Sequence, residues 1–228
     1  IDYQMSSNHS LFGRYLHTDS RAQAAWPRTT NLLTSAVRGR PKTSIAKSFT
    51  FGDTLVLGSN MINSFRAAFN RTHVDINMAP FLDAPTAGVK MYTYIPGAMV
   101  LNITGGFSIG TGGSIYQYVD GDTYQVGDDF TMVRGSHQIA FGGSLSYWDS
   151  YQLINGRSPG DFTFNGSRTG LGLADFLAGQ LFRLEHGAPG ILPLDQTYIG
   201  VYAQDAWRAT DRVTFNADIS QIDYHGGT

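Results

Sequence analysis

Along much of the chain apolar and small polar side chains alternate with a period of two. In residues 197–207, Ile199, Val201, Ala203 and Trp207 share one parity, while Tyr198, Gly200, Tyr202 and Gln204 share the other. In residues 137–148, Ile139, Phe141, Leu145 and Tyr147 oppose Gln138, Ala140, Gly142, Ser144 and Ser146. In residues 61–71, Phe65, Ala67 and Phe69 oppose Ser64, Arg66, Ala68 and Asn70. Successive strand side chains point to opposite faces, so these segments predict strands with one apolar and one small-polar face.

Short Gly- and Asp-bearing breaks predict antiparallel hairpins. Arg134-Gly-Ser-His137 separates strands over 123–133 and 137–152, and Ala209-Thr-Asp211 separates 197–208 from 212–219. Phe51-Gly-Asp-Thr54 is read as a turn between 44–51 and 55–72. Strands of about ten residues or more exceed the usual five or six. The expectation is an all-β, up-and-down barrel or partial barrel of about eight to ten strands, one unit over 1–228. Two stretches break the pattern and are read as long loops, residues 73–121 and 155–195. The first is rich in Pro and Gly, with a short strand expected within 98–103. The second holds the one helix predicted, near 171–180.

Composition sharpens the question of what the apolar face meets. Only 15% of the residues are charged, well below the roughly 25% of a soluble domain. Glu185 is the only glutamate, and Lys42, Lys47 and Lys90 are the only lysines. A soluble sandwich or barrel packs its apolar face inward and covers the other face with such charges. An outer-membrane barrel turns the apolar face to lipid and lines a wet interior with polar residues. Here the second face is Gly, Ser, Gln, Asn and Tyr, and aromatic residues gather near strand ends, as interfacial girdles do. Both readings remain open on pattern alone. A net charge of −2 without a basic run gives no footprint for nucleic acid. The absence of cysteine removes disulfides, thiolate metal sites and a Cys nucleophile. The first residues lack the basic and apolar regions of a signal peptide, which reads as an interior piece of a longer protein.

The segment running from Thr197 through Tyr-Ile-Gly-Val-Tyr-Ala-Gln-Asp-Ala-Trp-Arg-Ala-Thr-Asp-Arg-Val-Thr-Phe to Asn216 resembles the barrel signature of TonB-dependent outer-membrane receptors. Residues 124–143, Asp161-Phe-Thr-Phe-Asn165, Leu173-Ala-Asp-Phe-Leu-Ala-Gly179, Leu11-Phe-Gly-Arg-Tyr15 and Asn63-Ser-Phe-Arg66 are similar to the Oar-like branch. The resemblance implies part of a receptor barrel of about 22 strands in the outer membrane. It also implies lipid contact, import of a small nutrient such as an oligosaccharide, peptide or chelate, and coupling to TonB through a plug absent from these residues. The family's closing aromatic residue and the usual texture after Asn216 are missing. Open edges of a part-barrel would allow self-association.

Reactive constellations are weak. No Gly-x-Ser-x-Gly elbow is present. Adjacent Asp128 and Asp129 point to opposite strand faces, Glu185-His186 sits beside Gly187 and Pro189, and His73 with Asp75 is too small a ligand set for a metal. Gly105–Gly110 lacks the helix of a phosphate loop, and Asp120-Gly-Asp122 lacks the rest of a calcium loop. No catalytic residue, metal or cofactor is expected. The candidates for ligand contact are the loop aromatics Tyr92, Tyr94, Tyr116 and Tyr118, as stacking surfaces for a sugar or peptide. The alternatives are a secreted soluble β domain with hydrolytic chemistry at Asp128, Asp129, Glu185 or His186, and a self-assembling β-rich subunit.

Overall fold

The computed structural model describes residues 1–23, 41–76, 80–110 and 117–227. Eight strands form one antiparallel sheet whose spatial order follows the chain: β1 (Asp2–Ser6), β2 (His9–Ala22), β3 (Lys42–Leu57), β4 (Met61–Ile76), β7 (Gln117–Arg134), β8 (His137–Ile154), β11 (Gly190–Thr210) and β12 (Val213–Gly227). Neighbours in sequence are neighbours in space, the meander that short hairpins produce. No ladder joins β1 to β12 among the described residues, so the sheet is open with these two strands as its edges.

The tight turns all lie at one end of this wall, between β1 and β2, β3 and β4, β7 and β8, and β11 and β12. The long connections all lie at the other. The chain is folded within residues 80–110 and 155–189. β5 (Val100–Ile103) and β6 (Ser108–Ile109) come from the first, and β9 (Asp161–Phe164), α1 (Gly172–Leu177) and β10 (Arg183–Glu185) from the second. They form a second sheet, in the order β10-β9-β5-β6, in which β5 and β9 run parallel. Two loops of different hairpins are thereby stitched into one cap.

The cap owns a dry core. Met99, Leu101, Ile103, Ile109, Phe162 and Phe164 are all buried, with Phe107 and Phe176 packed against them. Phe176 meets both Phe107 and Phe164 edge-on, at centroid distances of 6.2 and 5.2 Å, the geometry that aromatic quadrupoles favour. Burying each such side chain contributes about 1.5–3 kcal/mol. A six-residue helix is too short to persist alone, so α1 depends on this packing and on its C-terminus. There Gly179, at φ 67°, donates to the Phe176 carbonyl, and Gln180 donates to that of Asp175, which satisfies carbonyls that the helix end would leave bare.

Three expectations are corrected. The long connections are shorter than predicted, residues 77–116 and 155–189, because β4, β7 and β11 run further toward the cap. The strands number twelve among the described residues. Phe51-Gly-Asp-Thr54 is not a turn: β3 passes straight through it, and the chain reverses at residues 58–60. Gly52 is small because a Cβ there would overlap the Phe12 ring of the neighbouring strand. The region after Asn216, despite its unusual texture, pairs with β11 along its whole length.

Candidate functional site

Cross-strand register sorts the wall into two faces. On one face Tyr15, Phe49, Phe69, Tyr124 and Tyr147 stand directly opposite one another across five strands, an unbroken aromatic row. One step toward the tight turns, Phe51, Ala67, Val126, Leu145 and Ile199 make an apolar row in the same register. Further on, Phe130 meets Phe141 at 5.0 Å and Trp207 meets Phe215 at 5.7 Å. From Tyr147 to His137 the apolar side of β8 covers about 33 Å of strand. Among the described residues nothing covers this face: Tyr15, Phe49, Val126 and Val201 are between 45% and 66% exposed.

Polar residues border the band. Toward the long loops Arg71 holds Asp122 through Nε and Nη2 at 2.7 and 2.5 Å, and His73 meets Asp120 at 2.5 Å. Toward the tight turns His9 pairs with Asp53 and His137 with Asp205, both at 2.7 Å. The Asn63 amide donates to Asp128 at 2.7 Å within the band.

The opposite face carries Ser48, Thr50, Arg66, Asn70, Gln125, Ser144, Ser146 and Gln204, with Tyr198 and Tyr202. Ser48 donates to Asn70 at 2.6 Å. Tyr202 leans across Gly142 and donates to Asp129 at 2.7 Å. A shallow groove of about 490 Å³ runs between Thr50, Arg66, Asn70, Gln125, Ser146 and Tyr198. This face offers hydroxyls and amides along its length, the lining a hydrated passage requires. Asp128 and Asp129 do point to opposite faces, and each has its own partner.

Above the wall, two buried carboxylates brace the cap. Asp83 accepts the amides of Thr86 and Gly97 at 2.8 and 2.7 Å. The Thr86 and Gly97 donors hold its carboxyl below the usual carboxylate range. Asp175, fully buried, accepts from the Thr169 hydroxyl at 2.7 Å and from the amides of Thr169 and Arg168 at 2.9 and 3.3 Å. Burial works to raise its pKa, but these donors together outweigh it and hold the carboxyl low. The sequence reading missed both residues. Asp175 sits in an otherwise apolar helical segment, and that placement was the available signal.

Among the described residues the candidate tyrosines Tyr92, Tyr94 and Tyr118 do not form one cluster. Tyr92 and Tyr94 meet edge-on at 4.9 Å, and Tyr94 lies 5.1 Å from the His186 ring of the other loop. Tyr92 is 70% exposed, free to meet a ligand. Tyr118 belongs to β7, not to a loop, and stacks on Tyr151 at 5.8 Å on the apolar face. Tyr116 lies outside the described residues. Glu185 faces Arg157 and Arg183, each at 3.5 Å, so Glu185 and His186 turn to separate neighbours. No group of three or more potential metal ligands occurs among the described residues.

Comparison with known proteins agrees with this architecture. The family described as "Outer membrane beta barrel domain" matches residues 1–218. Among solved structures, the outer membrane transporter YddB from Escherichia coli superposes with a TM-score of 0.51 at 12% identity. The match covers 98% of this chain and 26% of that one, so the chain spans about a quarter of the transporter's length. No curated protein matches the sequence.

Proposed function

Starting from a chain that belongs to the outer-membrane β-barrel family, and so resides in the outer membrane in contact with its lipid, we propose that it forms one sector of a TonB-dependent receptor of the Oar-like branch. In this reading the sheet is barrel wall, its polar face lines the passage, and the folded cap stands on the extracellular side, where such barrels carry their longer loops. The free edges of β1 and β12 pair with further strands of the same wall. A plug elsewhere in the receptor connects it to TonB. The cargo is a small nutrient: an oligosaccharide, a peptide or a metal chelate.

The observation that carries the proposal is the cap itself. Two loops from separate hairpins are fused by parallel pairing of β5 with β9. The fusion preorganises the exposed Tyr92–Tyr94–His186 ring cluster at the mouth of the passage. A stiff aromatic surface loses little entropy on binding, which suits recognition of a sugar or peptide face. Tyr118 belongs to the surrounding rim, on its lipid side.

The test uses cells carrying the full-length receptor and labelled maltohexaose, an alanine-rich tripeptide and ferric citrate. Replacing Tyr92 and Tyr94 together by Ala is expected to lower uptake of one of them by roughly tenfold, the scale of two aromatic contacts. Deleting TonB is expected to abolish that uptake. Uptake unchanged by both manipulations would overturn the proposal.

A further inference from the structure

One row of the wall has a charge pattern that the transport reading leaves unexplained. Immediately beyond the aromatic row, on the cap side, His17, Lys47, Arg71, Asp122, Asp149 and Asp195 stand in direct register across six strands. They share the lipid-facing parity of Tyr15, Phe49 and Phe69. The potential cations occupy β2, β3 and β4, and the anions occupy β7, β8 and β11. Like charges set directly opposite each other across strands repel, so this row is costly unless each half has a partner.

Among the described residues only the junction is neutralised, where Arg71 grips Asp122 while lying 5.6 Å from the centre of the Phe69 ring. The neighbouring pairs are also closed: Asp19 with Arg21 at 2.8 Å and His73 with Asp120 at 2.5 Å. Lys47 is different. It is exposed, lies between His17 and Arg71, and has no anionic partner among the described residues. In register Lys47 lies one step beyond Tyr15 and Phe49 on the same face, next to the depth at which interfacial aromatics end and headgroups begin.

We propose that Lys47, flanked by His17 and Arg71, binds the phosphate of an anionic lipid headgroup in the outer leaflet. The inference rests on the lipid-facing assignment of the apolar band and on the cap marking the outer side. The acyl chains of that lipid lie along Tyr15, Phe49 and Phe51. Its phosphate supplies the negative charge that β2–β4 lack. Asp149 and Asp195 on the other half of the row repel the same group and confine the contact to these three strands.

The full-length protein in detergent, given equal amounts of dioleoylphosphatidylcholine and dioleoylphosphatidic acid, tests this by native mass spectrometry of retained lipid. The wild type is expected to prefer phosphatidic acid. Lys47→Glu should reduce that preference at least about fivefold, the change that one lysine's attraction to an anionic surface represents. Lys47→Gln should fall between the two, and Asp149→Asn, which removes a repelling charge, should keep or raise the preference. A Lys47→Glu protein that keeps the wild-type preference overturns the headgroup site while leaving the barrel standing. A wild type that retains neither lipid overturns the lipid-facing assignment itself.

Discussion

Cap and wall use the same apolar residue types in opposite surroundings. In the cap Ile103, Phe162 and Phe164 are less than a tenth exposed, sealed against each other between two loops. In the wall Phe49, Phe141 and Val201 stand about half exposed on a single-layer sheet with none of the described residues packed over them. A sheet stable in water buries one face against a second layer. The cap satisfies that rule with a core of its own. The wall satisfies it only if the second layer is hydrocarbon, and its aromatic row and polar border place the limits of that layer. The difference separates a part that answers to water from a part that answers to lipid.

Truncation in the cap is expected to have the largest effect. Phe162→Ala should cost the cap about 3–5 kcal/mol, the usual penalty for an emptied aromatic site. Limited proteolysis should then cut within residues 155–189 while the wall still migrates as a folded barrel. Next comes a charge in the band: Leu145→Arg should cost ~2–4 kcal/mol in a bilayer. The adjacent Ser146→Arg, on the polar face, should cost little. Urea unfolding in liposomes measures both, and equal effects would erase the distinction between the faces.

The smallest effect is a pH response confined to the cap. The carboxyls of Asp83 and Asp175 are held below their ordinary values when folded. Their stabilisation is therefore present above the unfolded pKa of about 3.9 and is lost as pH falls through the lower folded value. Hydrogen exchange at the Thr86, Gly97, Arg168 and Thr169 amides should accelerate below about pH 4, before the ladder of the wall responds. Asp83→Asn should abolish the acid step at Thr86 and Gly97.

The wall was legible in the sequence because its logic is local. A period of two places Ile199, Val201 and Ala203 on one face whatever their partners are, and Arg134-Gly-Ser-His137 announces its own turn. The cap was not legible, because its strands have four residues or fewer and β5 meets β9 only after some 60 intervening residues. No alternation can establish itself over Val100–Ile103 when both sides are buried. Gly52 misled for a related reason: a glycine that makes room for Phe12 on a neighbouring strand has the local look of a turn. Tyr118 reads as a loop residue because the Pro and Gly upstream hide the start of β7. The pairing of Tyr92 and Tyr94 follows from their spacing, whereas their contact with His186 depends on how two distant loops meet.

The most direct test of the account is spin labelling at single cysteines placed within residues 1–228, which contain none, with any cysteine elsewhere replaced by serine. The full-length protein in liposomes would carry the label at position 126, 145 or 199, or at 125, 146 or 204. Collision with membrane-soluble oxygen should dominate at the first three positions, and collision with a water-soluble nickel chelate at the last three. Protection from both reagents at 126, 145 and 199 would mean that these side chains are packed in a dry interior, and would contradict the account.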